Sequence, residues 1–127
     1  MNEPTQTPQI VILCSDMLFL SKITGVAKHL DLSFCTVLSA KRASESIIEG
    51  TRQLLLVDLN QPDLNWQQLA SIHDRYSNVV SIAFGPHVDT EGLEKAKAAG
   101  CTQVLPRSQF SAQLPQLLQT ALSVETD

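Results

Sequence analysis

The chain has 127 residues, of which 43% are hydrophobic and 17% charged, and it carries a formal net charge of −4. That length makes one domain, able to bury roughly two-thirds of its unfolded surface without staples, and no apolar run approaches membrane-spanning length. The negative balance argues against nucleic acid as a direct partner, because duplex binding draws most of its affinity from cationic contacts to phosphate.

Residues 1–8 are polar, with prolines at Pro4 and Pro8, and read as a loose arm. Residues 124–127 read as a frayed tail. No signal-peptide pattern is present, so the expected location is the cytoplasm. Cys14, Cys35 and Cys101 lie in or beside apolar segments without metal-like spacing. They read as small buried hydrophobes in a reducing compartment.

Residues 9–14 (QIVILC) form an apolar run too short for a helix and rich in β-branched residues, hence a first strand. Ser15 and Asp16 are possible N-caps. Phe19, Leu20, Ile23, Val26, Ala27 and Leu30 then recur at helical spacing. A second strand is predicted over 32–38. Ser39 caps a second helix through Glu49 that buries Ala40, Ala43 and Ile47, with Gly50 stopping it.

The third strand is the most informative stretch. Leu54, Leu55, Leu56 and Val57 are apolar without alternation, as in a strand covered on both faces, and a carboxylate follows at Asp58. In open α/β sheets ligands bind outside the carboxyl ends of the strands, which places Asp58 for chemistry. Ordinary turn capping by an aspartate is the other reading. Pro62 breaks the ladder and stiffens the loop beyond Gln61.

Asn65 and Gln68 stand in a capping-box relation and Leu64 and Leu69 in that of a hydrophobic staple, which starts a third helix over 66–75. Trp66, the only tryptophan, opens that helix near Asp58, either as an exposed contact or folded over the loop as local core. Residues 79–84 make a fourth strand closed by Gly85-Pro86. Asp89 caps a helix over 90–99 whose Glu91–Lys95 and Glu94–Lys97 spacings mark a solvated face. Residues 102–105 are a short fifth strand. Phe110, Leu114, Leu117, Leu118 and Ala121 line one side of a last helix, in which Pro115 is tolerable only near the start.

Five strands, each followed by a helix, give a parallel sheet with helices on both faces. This βα order, with Asp58 and Pro62 matching a D-x-x-x-P pattern, resembles the receiver domain of two-component response regulators. The resemblance covers nearly the whole chain. It implies a flavodoxin-like, doubly wound sheet of strand order 2-1-3-4-5. It also implies that Asp58 occupies the place of the phosphoryl acceptor. Ser15-Asp16, Phe84-Gly85 and Arg107-Ser108 then fall at the family's other active-site positions.

Those positions depart from the family. Where it has two adjacent acids that help hold a divalent ion, this chain has Ser15-Asp16. Asp16, Asp58 and the Asn60 carbonyl then make at most a weak magnesium site, and N-capping is an equal reading of Asp16. Two carboxylates about 5 Å apart repel by roughly 3 kcal/mol at an effective dielectric near 20, so such a pocket wants a cation. Where the family has a hydroxyl residue on the fourth strand, this chain has Phe84, which offers no hydrogen bond and fills space meant for phosphoryl oxygens. The lysine and proline of the fifth strand are replaced by Arg107 and Ser108, and an arginine can pair Asp58 permanently. The aromatic coupled to the hydroxyl is replaced by Val104.

The resemblance is therefore to the degenerate, pseudo-receiver branch: a non-enzymatic signalling module acting through protein contacts, with a histidine kinase or an output protein as the partner class. The alternative is a magnesium-dependent phosphoacceptor, phosphorylated on Asp58 by a histidine kinase. A small enzyme or cofactor binder finds little support. There is no Gly-rich phosphate loop, no nucleophile beside a base, and no ligand spacing among His29, His73 and His87. Gln113, Gln116 and Gln119 form an uncharged strip on the last helix, suited to a partner or to a homodimer because few ions need desolvation, or else a plain solvated face.

Overall fold

A computed structural model describes residues 8–61 and 64–122. Residues 1–7, Pro62, Asp63 and 123–127, and with them most of the predicted arm, the tail and the reading of Pro62, lie outside the described residues.

The strands are β1 (Ile10–Leu13), β2 (Phe34–Val37), β3 (Gln53–Asp58), β4 (Val79–Gly85) and β5 (Gln103–Pro106). All pair in parallel, in the order β2-β1-β3-β4-β5. The helices are α1 (Met17–His29), α2 (Ala40–Glu45), α3 (Trp66–Arg75), α4 (Thr90–Ala98), α5 (Arg107–Ala112) and α6 (Leu114–Leu122). β3 lies between β1 and β4 with every residue buried, which is why it carries no polar alternation. Side chains of opposite parity on the strands feed two cores. Ile10, Ile12, Leu54, Leu56, Ile82 and Phe84 pack with Ile23 of α1, Phe110 of α5 and Leu118 of α6. Val11, Leu13, Leu55, Val57 and Ala83 pack with Ala43 of α2, Leu69 of α3 and Ala96 of α4.

The predicted caps are in place. Asp16 accepts from the Leu18 and Phe19 amides, Ser39 from Arg42, Asn65 from Gln68, and Asp89 from Gly92. Glu91–Lys95 and Glu94–Lys97 are exposed ion pairs at 3.3 and 3.6 Å. Among the described residues no helix is long and apolar enough to cross a membrane.

Two helices differ from the sequence reading. The second stops at Glu45 instead of Glu49 because Gln53, fully buried at the start of β3, takes over its hydrogen bonds. The Gln53 amide donates to the Ser46 carbonyl (3.1 Å) and the Pro8 carbonyl (2.9 Å), and its oxygen accepts from the Ile48 N–H (2.7 Å). Asn78 adds bonds to the Ile48 and Thr51 carbonyls, so residues 46–51 become a stapled turn through Gly50 at φ +82°. The last helix is two helices. Pro115 has no N–H to give the Ser111 carbonyl, and the chain breaks at Gln113, with Pro115 the second residue of α6.

Candidate functional site

The register sets the pocket before any side chain is considered. Leu13 pairs with Val57 and Asp58 with Phe84, while Phe84 pairs with Leu105. Cys14 and Asp58 therefore leave the sheet side by side, and Arg107 follows two residues beyond Leu105. Asp16, as N-cap of α1, and Arg107, as the first residue of α5, close the group from above.

Asp58 is 1% exposed, and both its oxygens are occupied. Oδ1 accepts from the Asn60 N–H (2.9 Å) and from Arg107 Nη2 (3.1 Å), and Oδ2 accepts from Cys14 Sγ (3.4 Å). Burial, with the negative charges of Asp58 and Asp16, pushes the Cys14 thiol up to about 12. Cys14 thus stays protonated at neutral pH and remains a donor. Asp16 divides its oxygens: Oδ1 caps α1 at 3.1 and 3.2 Å, and Oδ2 faces Arg107 Nη1 at 3.5 Å. The Gln61 amide donates to the Leu13 carbonyl (3.1 Å) and the Asp58 carbonyl (2.6 Å), fastening the ends of β1 and β3.

The Arg107 guanidinium also lies 4.9 Å over the Phe19 ring. Phe19 is 5.1 Å from Phe84, which stacks on Phe110 at 4.2 Å and 10°. Phe84 is fully buried in that stack. It brings no donor to the carboxylate, and the group beside Asp58 is the guanidinium. Arg107 Nε is buried without a partner among the described residues, so the arginine is held by its two ion pairs and the ring beneath it.

These residues do not fit the magnesium ion considered from the sequence. The facing oxygens of Asp16 and Asp58 already share one cationic fork, and Asn60 turns its N–H toward Asp58. A divalent ion between them would meet a fixed positive charge. Among the described residues no group of three or more His, Cys, Asp or Glu is gathered for a metal.

The remaining positions lie apart from this group. Ser15 and Ser108 are exposed, and Val104 packs against the core on the α2–α3–α4 side. Trp66 is half-buried on that same core, with Lys95 at 6.0 Å from its ring, and so faces α4 instead of Asp58. Gln113, Gln116 and Gln119 are all exposed, but Gln113 ends α5 while the other two lie on α6. Gln113 and Gln116 line a groove of about 440 Å³ with Val80, Ile82, Leu117 and Arg52, and Gln119 does not.

Sequence reasoning missed two features. Cys14 as a donor to Asp58 was legible in the strand ends, once β1 and β3 were taken as neighbours. The other is a buried network on the far side of the sheet. His73 Nδ1 faces the Ala99 carbonyl at 2.8 Å, so Nδ1 carries the hydrogen, and Nε2 accepts from Ser81 Oγ at 2.6 Å. Ser81 in turn accepts from the Thr102 N–H. A hydroxyl stands beside a base here, but Ser81 is fully buried and the pair ties α3 to β4.

By sequence, no family profile and no curated protein matches the chain. By structure, the chain has the CheY-like receiver fold. It is similar to a CheY-like response regulator receiver domain protein from Methanospirillum hungatei, at 17% identity and TM-score 0.73, over 92% of this chain and 94% of that one. The signal receiver domain of an HD domain-containing protein from Pseudomonas fluorescens gives 20% identity and TM-score 0.74, over 96% and 91%. The receiver domain of NtrX from Brucella abortus gives 14% and 0.73, over 91% and 99%.

Proposed function

We propose that this chain is a receiver-type signalling module that works by protein contact, with Asp58 a structural anion instead of a phosphoryl acceptor. The observation that carries this reading is the Asp58–Arg107 ion pair at 3.1 Å around a carboxylate 1% exposed. An attacking carboxylate needs a free oxygen in line with the donor phosphorus, and both oxygens of Asp58 are engaged. Phosphoryl transfer is catalysed by positioning and charge stabilisation, and beside Asp58 the place of a hydroxyl is taken by the Phe84 ring and that of a cation by the Arg107 guanidinium.

Two surfaces support action through partners. Met17, Leu18, Leu38 and Val88 are exposed apolar side chains in segments at the carboxyl end of the sheet, around the closed pocket. Such a rim suits another signalling protein, a kinase or an output protein, better than water. The groove beside α6, with an apolar floor and uncharged glutamines, suits a second copy of the chain.

The test is an amide NMR titration with magnesium and beryllofluoride, which mimics a phosphoryl group, using Asp58→Asn as control. Unchanged spectra are expected. Saturable shifts around residues 14–19, 58–61 and 84–85 that vanish in the control would instead establish the phosphoacceptor reading.

A further inference from the structure

We infer that Arg107 is a built-in cation, whose guanidinium closes a latent metal site formed by Asp16 and Asp58 and so makes metal and arginine alternatives for one position. This deepens the reading of Asp58 as a structural anion and rests on it. Three observations combine. First, one guanidinium spans both carboxylates, with Nη2 at 3.1 Å from Asp58 and Nη1 at 3.5 Å from Asp16. Second, the carboxylates come from separate elements, the end of β3 and the cap of α1, and beyond the backbone amides that each accepts from and the Cys14 thiol on Asp58, the only charged group facing both among the described residues is the Arg107 guanidinium. Third, the Arg107 Nε–H is buried without a partner among the described residues, so the arginine does not satisfy all its own donors.

The charges give the consequence. Asp16 and Asp58 carry two negative charges against one on Arg107, and the cluster retains an excess of one. Remove the guanidinium and two carboxylates face each other, one of them almost wholly out of water. Hard oxygen donors with a double negative charge are what a magnesium or manganese ion selects, even with only two carboxylates. Arg107 begins α5 directly after β5, so its pairing also ties that corner to the ends of β1 and β3. A receiver fold held this way has the corner fixed without any bound ion.

The experiment uses the full chain as wild type, Arg107→Met, and Arg107→Met with Asp58→Asn. Manganese is titrated and read by paramagnetic broadening of amide signals, with thermal unfolding measured with and without magnesium. In wild type no saturable broadening is expected. In Arg107→Met, broadening should saturate around residues 15–19 and 58–60, with affinity on the order of tenfold or more above any wild-type binding. Magnesium should raise the melting temperature of that variant alone. The added Asp58→Asn change should abolish both effects.

A folded Arg107→Met chain that takes no ion would overturn the inference, as would equal binding by wild type. If Arg107→Met folds only with the ion present, that is the same site seen through stability. If it stays unfolded, Arg107→Gln is measured in the same way. Failure of both to fold even with manganese also overturns the inference, since an ion able to replace the guanidinium would restore them. Wild type that accepts beryllofluoride with magnesium would sink the non-acceptor reading as well. Silence in wild type together with a metal-blind Arg107→Met would sink this inference alone.

Discussion

The Asp58–Arg107 pair should behave as one energetic unit, and a double-mutant cycle of Arg107→Met and Asp58→Asn measures it. At 3.1 Å the bare attraction is about 5 kcal/mol at an effective dielectric near 20. Arg107 is 28% exposed, so water screens part of this. The larger cost in Arg107→Met comes from stranding a carboxylate that is 1% exposed, with only the Asn60 amide and the Cys14 thiol left on it. Breaking such a buried pair costs about 3–5 kcal/mol. Asp58→Asn removes the charge but leaves Arg107 to Asp16, and should cost less, about 1–2 kcal/mol. With Asp58 already neutral, Arg107→Met strands no buried charge, so the double variant should be destabilised by about 2 kcal/mol less than the two single losses added together. Urea unfolding followed by circular dichroism, at fixed pH and with equal m-values, gives all four stabilities. Single losses that add to within about 0.5 kcal/mol would refute the coupling, and with it the account of Asp58 as an anion held by Arg107.

Two further outcomes are expected. His73 is held neutral between the Ala99 carbonyl and Ser81, and burial lowers its basicity below the ordinary value. Because the folded state binds the proton more weakly than the unfolded one, its contribution is present above about pH 6.5 and is lost as pH falls below that. The urea midpoint should therefore drop from about pH 7.5 to about pH 5.5 more in wild type than in His73→Gln, and parallel slopes would count against the network. Gln116→Arg places a charge on the wall of the α6 groove and should dissociate a dimer formed through it. Sedimentation that finds a monomer both before and after the change would remove the second copy from the proposal.

Most of the fold was legible because its signals are local or periodic. Asp16, Ser39, Asn65 and Asp89 are caps whose partners lie two or three residues away, and the unbroken apolar run of β3 already states that both its faces are covered. What failed was set by distant residues. α2 ends early because Gln53, eight residues beyond it, supplies amide groups that compete with helical hydrogen bonds. Nothing within residues 40–49 carries that information. Pro115 did announce the break before α6, but its effect falls on a carbonyl in the preceding turn, which an apolar periodicity running through Phe110 and Leu114 masks.

The candidate site divides along the same line. Sequence alone determined which chemical groups stand at the strand ends: the acid at Asp58, one acid at Asp16, a guanidinium at Arg107, and no hydroxyl at Phe84. Those identities follow from strand registers that a parallel sheet leaves little freedom to change. Tertiary structure alone decided how the charges are spent. Asp16 lies 91 residues from Arg107 and Asp58 lies 49, and only the packing of α5 against β4 and α1 brings one guanidinium between them. Electrostatic pairing depends on distance and burial, and neither is written in a residue's type.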